Sequence, residues 1–239
     1  IDGTKSFMIG RPTFGTLIAL WEDNKPVLGI IDQPILKERW VGDGAQTTMN
    51  GNIVKTRPCK DIHEARIGAT TPMMFDKSED YGRAYHLFET PPRMVWGGDC
   101  YMYGLIACGF MDVAFEQNLS PYDFAALVPI IKGAGGHISD WRGDELTLNS
   151  AGKVIAVGDP DLWPEIERML RKTDNYMYEH ADKAHKDIEK NGCHIIYIPA
   201  NDAQPSVAYS IGIAKTTKHH DIVVTGLDKD TAHFLINEY

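Results

Sequence analysis

Residues 111–139 read MDVAFEQNLSPYDFAALVPIIKGAGGHIS, and the order of residue types in this stretch decides the fold class. Residues 111–116 are a short, mostly apolar run of strand character. Residues 122–133 carry apolar positions at helical spacing, with Pro129 predicting a bend or an early stop. The run Gly133-Ala134-Gly135-Gly136 ends that helix, because glycine adopts the left-handed cap at little cost. Residues 137–139 return to an extended pattern. A strand, a helix and a strand within 29 residues predict a layered α/β protein.

The same alternation extends in both directions. Residues 14–20 (FGTLIAL) and 27–31 (VLGII) flank WEDNKP and predict a β-hairpin turning at Asp23 to Pro26. Further strands are expected within 39–54, where Gly42 to Gly44 and Asn50-Gly51 are turn signals, and at 66–71. Residues 78–89 and 101–109 have helical patterns. A strand at 153–157 and a helix over 160–171 follow. Composition changes after Arg171. Residues 172–190 are charged and periodic and predict a helix. Residues 193–199, 206–213 and 221–226 predict strands, and 229–239 a helix. This places a domain boundary near 171, giving units 1–171 and 172–239.

Bulk properties narrow the function classes. The chain has 239 residues, 43% hydrophobic and 24% charged, with formal charge −9 from 24 basic and 33 acidic residues. That excess opposes binding to a nucleic-acid backbone, which depends on Lys and Arg. A phosphorylated small molecule would need metal ions or backbone amides to offset its charge. No apolar run approaches the roughly 18 residues that span a bilayer, so no membrane partner is expected. The four cysteines, Cys59, Cys100, Cys108 and Cys193, form no CxxC pair. They predict reduced thiols in a cytoplasm.

Three groups of residues carry candidate chemistry. In Ile1-Asp2-Gly3-Thr4-Lys5-Ser6 a carboxylate stands beside a glycine whose backbone can approach an anion closely, followed by successive amides. Read alone, Asp2-Gly3 is also an ordinary turn. In Ser120-Pro121-Tyr122-Asp123, Asp123 opens an apolar helix, either as its N-cap or as a metal ligand at the helix N-terminus. In Gly97-Gly98-Asp99-Cys100-Tyr101, with Glu116 downstream, the acids can orient a hydroxyl or ammonium group, or serve as solvated loop carboxylates.

Taken in order, these motifs resemble the inositol monophosphatase superfamily over about residues 1–170. The family signature Asp-Pro-Ile-Asp-Gly-Thr is kept here as Ile1-Asp2-Gly3-Thr4. An aromatic-Asp pair before a small-residue helix ending in Ala-Gly-Gly appears as Tyr122-Asp123 with 134–136. The segments IDGTKSF, VLGIIDQPILKERWVG, GGDCYMYGLIACG and LSPYDFAALVPIIKGAGGHISDWRG resemble its histidinol-phosphatase branch. The fold implied is a layered α/β/α/β sandwich of the sugar-phosphatase type, incomplete at its N-terminus, with a small α+β segment after it.

The activity implied by the resemblance is Mg²⁺-dependent hydrolysis of a phosphate monoester, histidinol phosphate first and an inositol or sugar phosphate second. The ions polarise the phosphoryl group and lower the pKa of a bound water. By position, Asp2 and Asp123 match side-chain metal ligands and the Ile1 carbonyl a backbone ligand. Gly3 and Thr4 match phosphate-binding amides, and the Thr4 hydroxyl helps orient the attacking water, so Thr4 and Asp2 are the catalytic candidates. Asp99 and Glu116 are candidates for the ammonium and imidazole groups of the substrate, since an acidic pocket suits a cationic amino alcohol. A homodimer is implied as well. The first Asp of the signature and further acidic ligands of the family precede the position of Ile1, so the chain as given is expected to be inactive or feeble.

Residues 181–239 resemble DUF4262, a small domain family of uncharacterised function, in IEKNGCHIIYIP, VAYSIGIAKT, HHDIVVTGL and DTAHFLINEY. The spacing of His194, His219, His220 and His233 matches no standard metal-ligand pattern. A noncatalytic remnant joined to a binding module is the alternative of a different class.

Overall fold

A computed structural model describes residues 1–75, 83–84, 87, 94–171, 190, 194–198, 207–211, 223–225 and 228–231. The chain divides into two compact units, Ile1–Asp174 and Asn175–Tyr239.

The first unit begins with the short helix α1 (Thr4–Met8) and a five-stranded antiparallel sheet. Its strands are β1 (Thr16–Glu22), β2 (Lys25–Gln33), β3 (Glu38–Gly42), β4 (Thr47–Met49) and β5 (Asn52–Ile53), paired in sequence order. The predicted hairpin is the β1–β2 pair, with Glu22 opposite Lys25. Its two-residue turn puts Asp23 and Asn24 at φ 47° and 63°. Asn and Asp tolerate that left-handed region, and the turn's twist matches the strands it joins.

The second sheet runs β7–β6–β8–β10–β9, from β6 (Ile67–Ala69), β7 (Met94–Trp96), β8 (Val113–Glu116), β9 (His137–Ser139) and β10 (Val154–Val157). Strand β6 is parallel to β7 and β8, while β10 is antiparallel to β8 and β9. Every residue of β8 and β10 is buried, because both faces of the sheet are covered. Ala114, Val154 and Ala156 face one core, which also holds Ile31 and Trp40 of the first sheet. Between the sheets lie α2 (Tyr101–Ala107) and α4 (Leu127–Gly133), contributing Met102, Tyr103, Ile106, Leu127, Ile130 and Ile131. Val113, Phe115, Ile155 and Val157 face the opposite core, with Phe75, Ala84, Leu87 and Trp141. Helix α5 (Trp163–Arg171) closes that side through Ile166 and Leu170. The layers therefore run sheet, helices, sheet, helix, the α/β/α/β order expected. Contact between α4 and the first sheet is close: a Cβ on Gly29 would stand 2.0 Å from the Ala126 carbonyl oxygen.

Two local expectations are corrected. Pro129 does not end its helix, which runs on to Gly133. The break lies earlier, at Ala125 and Ala126, between the one-turn α3 (Pro121–Phe124) and α4. Proline has no N–H to return to the carbonyl four residues back, which here is that of Ala125. Second, the cap of α3 is Ser120, and Asp123 sits at the third helical position with its carboxylate accepting the Ser120 N–H at 2.9 Å. That contact is the backward half of a capping box.

Residues 83, 84 and 87 are helical; the rest of the helix expected over 78–89 lies outside the described residues, as does the one expected over 172–190, of which 190 alone is described and is helical. The second unit contains a three-stranded antiparallel sheet of β11 (His194–Ile198), β12 (Val207–Ile211) and β13 (Val223–Thr225). Residues 229–231 are helical, and the remainder of the helix expected to 239 lies outside the described residues. So does any side-chain arrangement of His194, His219, His220 and His233. Among the described residues no helix is long and apolar enough to cross a membrane.

Candidate active site

The N-terminal motif is seated on the segment that leads into α2. Asp2 bridges Gly15 through two backbone hydrogen bonds, Asp2 N–H to the Gly15 carbonyl at 2.9 Å and Gly15 N–H to the Asp2 carbonyl at 3.1 Å. The Asp2 side chain turns toward α2, and its Oδ2 accepts the Cys100 N–H at 2.7 Å. Gly3 then reverses the chain at φ 76° and ψ 39° and caps α1. A Cβ there would stand 2.9 Å from both the Asp99 Cγ and the Phe14 Cα. Glycine is required twice over, by backbone conformation and by space. Thr4 opens α1 and is exposed, as is Ile1 at its head.

Asp99 lies directly behind this corner. It is 8% exposed and occupies the left-handed region at φ 46°. Its Oδ2 accepts the Ser6 hydroxyl at 2.5 Å and the Thr13 hydroxyl at 2.8 Å. Arg11 adds a bond to the Trp96 carbonyl at 3.1 Å. Ser6 and Cys100 lie inside motifs singled out from sequence but were given no role there, and Thr13 lies outside those motifs. A hydroxyl in Ser6 or Thr13 carries no signal of a partner some 90 positions away.

Glu116, at the end of β8, is 4% exposed. Its Oε2 accepts the Tyr103 hydroxyl at 2.9 Å, and the Thr70 hydroxyl also bonds it. Burial pushes its carboxyl up to about 8, with the charges of Asp2 and Asp99 acting the same way and the two hydroxyls opposing. Burial also raises the Asp2 carboxyl, opposed by its bonds from Cys100 and reinforced by the charges of Asp99 and Asp123. The Cys100 thiol, buried against Asp2, is held well above the ordinary thiol range.

The structure thus brings Asp2, Gly3 and Asp99 into contact. It sets Asp123 and Glu116 near enough for charge to be felt across the group. Among the described residues, no three His, Cys, Asp or Glu side chains converge closely enough to hold a metal by themselves. Even so, the donors fit a hard cation. The candidates read from sequence (the Asp2 and Asp123 carboxylates and the Ile1 carbonyl) offer oxygen only, and the charges that act on Asp2 from Asp99 and Asp123 are negative. Mg²⁺ is commonly held by one or two carboxylates, with phosphate oxygens and water completing its shell. A surface hollow of about 520 Å³ lies elsewhere, on the first sheet, lined in part by Asp32, Lys37, Arg39 and Asn50.

Comparison with known proteins identifies the setting. The profile of the inositol monophosphatase family matches residues 1–178, and that of a domain of unknown function, DUF4262, matches residues 187–239. The bifunctional phosphatase IMPL2 of Arabidopsis thaliana is 47% identical over 171 residues, covering 68% of this chain and 49% of its own. A histidinol-phosphatase of Chlorobaculum parvum is 32% identical over 158 residues, covering 65% and 61%. The solved structure of an inositol monophosphatase from Zymomonas mobilis is 46% identical, with a TM-score of 0.69 over 72% of this chain and 68% of that one. The chain spans about half to three fifths of the length of these two curated relatives.

Proposed function

Because the chain belongs to the inositol monophosphatase family, a family of phosphatases, we propose that residues 1–171 serve the Mg²⁺-dependent hydrolysis of histidinol phosphate to histidinol and phosphate. The observation that carries the reading is the corner at Asp2-Gly3-Thr4. There a carboxylate and the exposed start of α1 stand together, backed by Asp99. In this reading Asp2, Asp123 and the Ile1 carbonyl hold the metal. When bound, Mg²⁺ would polarise the phosphoryl group and lower the pKa of a water. The Gly3 and Thr4 amides take the phosphate oxygens, and the Thr4 hydroxyl orients the attacking water. Gly3 brings its amide close because no Cβ intervenes.

The negative field around Asp2 favours a cationic leaving alcohol. A positive group placed beside Glu116 offsets the cost of ionising that buried carboxyl. The histidinol-phosphatase relative supports this substrate. The Zymomonas inositol monophosphatase, at higher identity, supports an inositol phosphate as the second reading.

The test is phosphate release from histidinol phosphate and from inositol 1-phosphate, with and without Mg²⁺. It is run on this chain and on a chimera carrying ahead of Ile1 the segment that precedes the matching region in IMPL2. Mg²⁺-dependent release from histidinol phosphate in preference to inositol 1-phosphate supports the assignment. The reverse preference replaces the substrate, and no release by a folded chimera from either ester rejects the phosphatase reading.

A further inference from the structure

Asp99 reads from sequence as a group facing the substrate, but its surroundings give it a different task. Its Oδ2 is taken by two hydroxyl donors, Ser6 and Thr13, whose oxygens stand 3.0 Å apart. A bond from a hydroxyl to a carboxylate is short and about twice as strong as a neutral one. An incoming ammonium would compete with both donors for that oxygen on a residue that is nearly buried. Ser6 lies in α1 and Thr13 follows the loop after it, so one carboxylate closes the whole excursion of chain from Gly3 to Phe14. The side chain of Asp99 also abuts Gly3. The next peptide gives its N–H, that of Cys100, to Asp2. One left-handed residue therefore delivers a carboxylate to the far side of the corner and an amide to its near side.

We propose that Asp99 is a positioning residue: through Ser6 and Thr13 it fixes the Asp2 carboxylate and the Gly3 and Thr4 amides in their working geometry, and it does not touch the substrate. What the corner does when so fixed rests on the phosphatase reading above; how it is held does not.

Two variants separate this role from substrate contact. Asp99→Asn keeps a residue that accepts the left-handed conformation but removes the charge. The double variant Ser6→Ala/Thr13→Ala keeps the charge and removes its donors. In both, kcat is expected to fall by about 10–100-fold, the range seen when a supporting shell is removed. The fall is equal for histidinol phosphate, the ester of a cationic alcohol, and for inositol 1-phosphate, the ester of a neutral one. A rise in KM for histidinol phosphate alone in Asp99→Asn, with the double variant unaffected, would overturn the proposal.

The second measurement needs no turnover. Backbone amide resonances are expected to move in both variants within 1–15 and 97–101 and to stay put across β8 and β10. Unchanged Gly3 and Thr4 resonances sink the proposal, and so does a change spread evenly through both cores. If the wild-type chimera releases no phosphate, the functional reading fails while the amide measurement still decides the role of Asp99.

Discussion

The Asp2 carboxylate accepts the backbone N–H of Cys100 at 2.7 Å, across 98 positions of chain. The contact fixes a side chain that the surrounding charges disfavour. Burial and the fields of Asp99 and Asp123 both raise the Asp2 carboxyl, and donors or a cation beside it favour its charged form. Asp2→Asn keeps an acceptor for Cys100 and removes the charge. On the proposed function, and measured in the chimera, it is expected to lower Mg²⁺-dependent phosphate release by more than about 100-fold, since loss of a mere supporting group costs about 10–100-fold. Its melting temperature without metal should stay the same or rise. Turnover close to wild type would remove Asp2 from the ligand set.

Gly3→Ala tests the corner itself. The substitution meets both a left-handed φ of 76° and two atoms at 2.9 Å. Strain of this kind costs roughly 1–3 kcal/mol, measurable by urea denaturation. The change falls between Asp2 and Thr4, so activity per folded molecule is expected to drop further than stability does. Gly10→Ala is the control, since φ is 74° there but a Cβ would meet nothing within 4 Å. It should show the conformational cost without the steric one.

Glu116 sets a pH dependence whose sign is fixed by the direction of its shift. Its carboxyl stands at about 8 in the folded chain, against 4.5 ordinarily. Between those values the folded state binds the proton more tightly than the unfolded one. Stability from this group is therefore fully present below about pH 4.5 and is lost as pH rises through about 8. Glu116→Gln, isosteric with the neutral acid, is expected to flatten the fall in melting temperature between pH 5 and 9 in the presence of EDTA. An unaltered slope would show that Glu116 ionises freely where it stands.

The sequence makes the layers readable because their signals are local. Asp23-Asn24 supplies two residues that accept positive φ between apolar runs, and the hairpin follows. Val113 to Phe115 and Val154 to Val157 are short apolar runs, as expected of strands buried on both faces. Gly133 to Gly136 stops a helix by its own chemistry. The candidate site was legible in part for the same reason. Asp2, Gly3 and Thr4 are neighbours in sequence, and Asp123 stands at a helix start. What could not be read was long-range. Ser6 and Thr13 look like any surface hydroxyls until Asp99 is brought to them, and Asp99 itself reads as an available loop acid. The break at Ala125–Ala126 was misplaced because Pro129 marks the gap it leaves in the ladder four residues earlier, not at its own position.

A last prediction lies away from the site, in the pair Arg57–Asp112. Asp112 is fully buried and its Oδ2 accepts the Arg57 Nη2 at 2.6 Å and the Arg66 N–H at 2.8 Å. The Arg57 guanidinium is held above its ordinary range by that bond. The Asp112 Oδ1 and the Arg57 Nε are buried without a hydrogen-bond partner among the described residues, so the pair is imperfectly compensated. Its value lies in what breaking it would expose. Arg57→Met leaves a carboxylate buried at the head of β8, and removal of one partner of a buried pair costs roughly 3–5 kcal/mol. Arg57 is a third exposed, so water can reach it and the lower end of that range is expected. Arg57→Met combined with Asp112→Leu removes both charges and should recover most of the loss, because it also removes the two unpartnered atoms. Urea titration of the single and double variants measures this. A double variant no more stable than the single would mean that the Arg66 N–H, left without its acceptor, matters more than the buried charge.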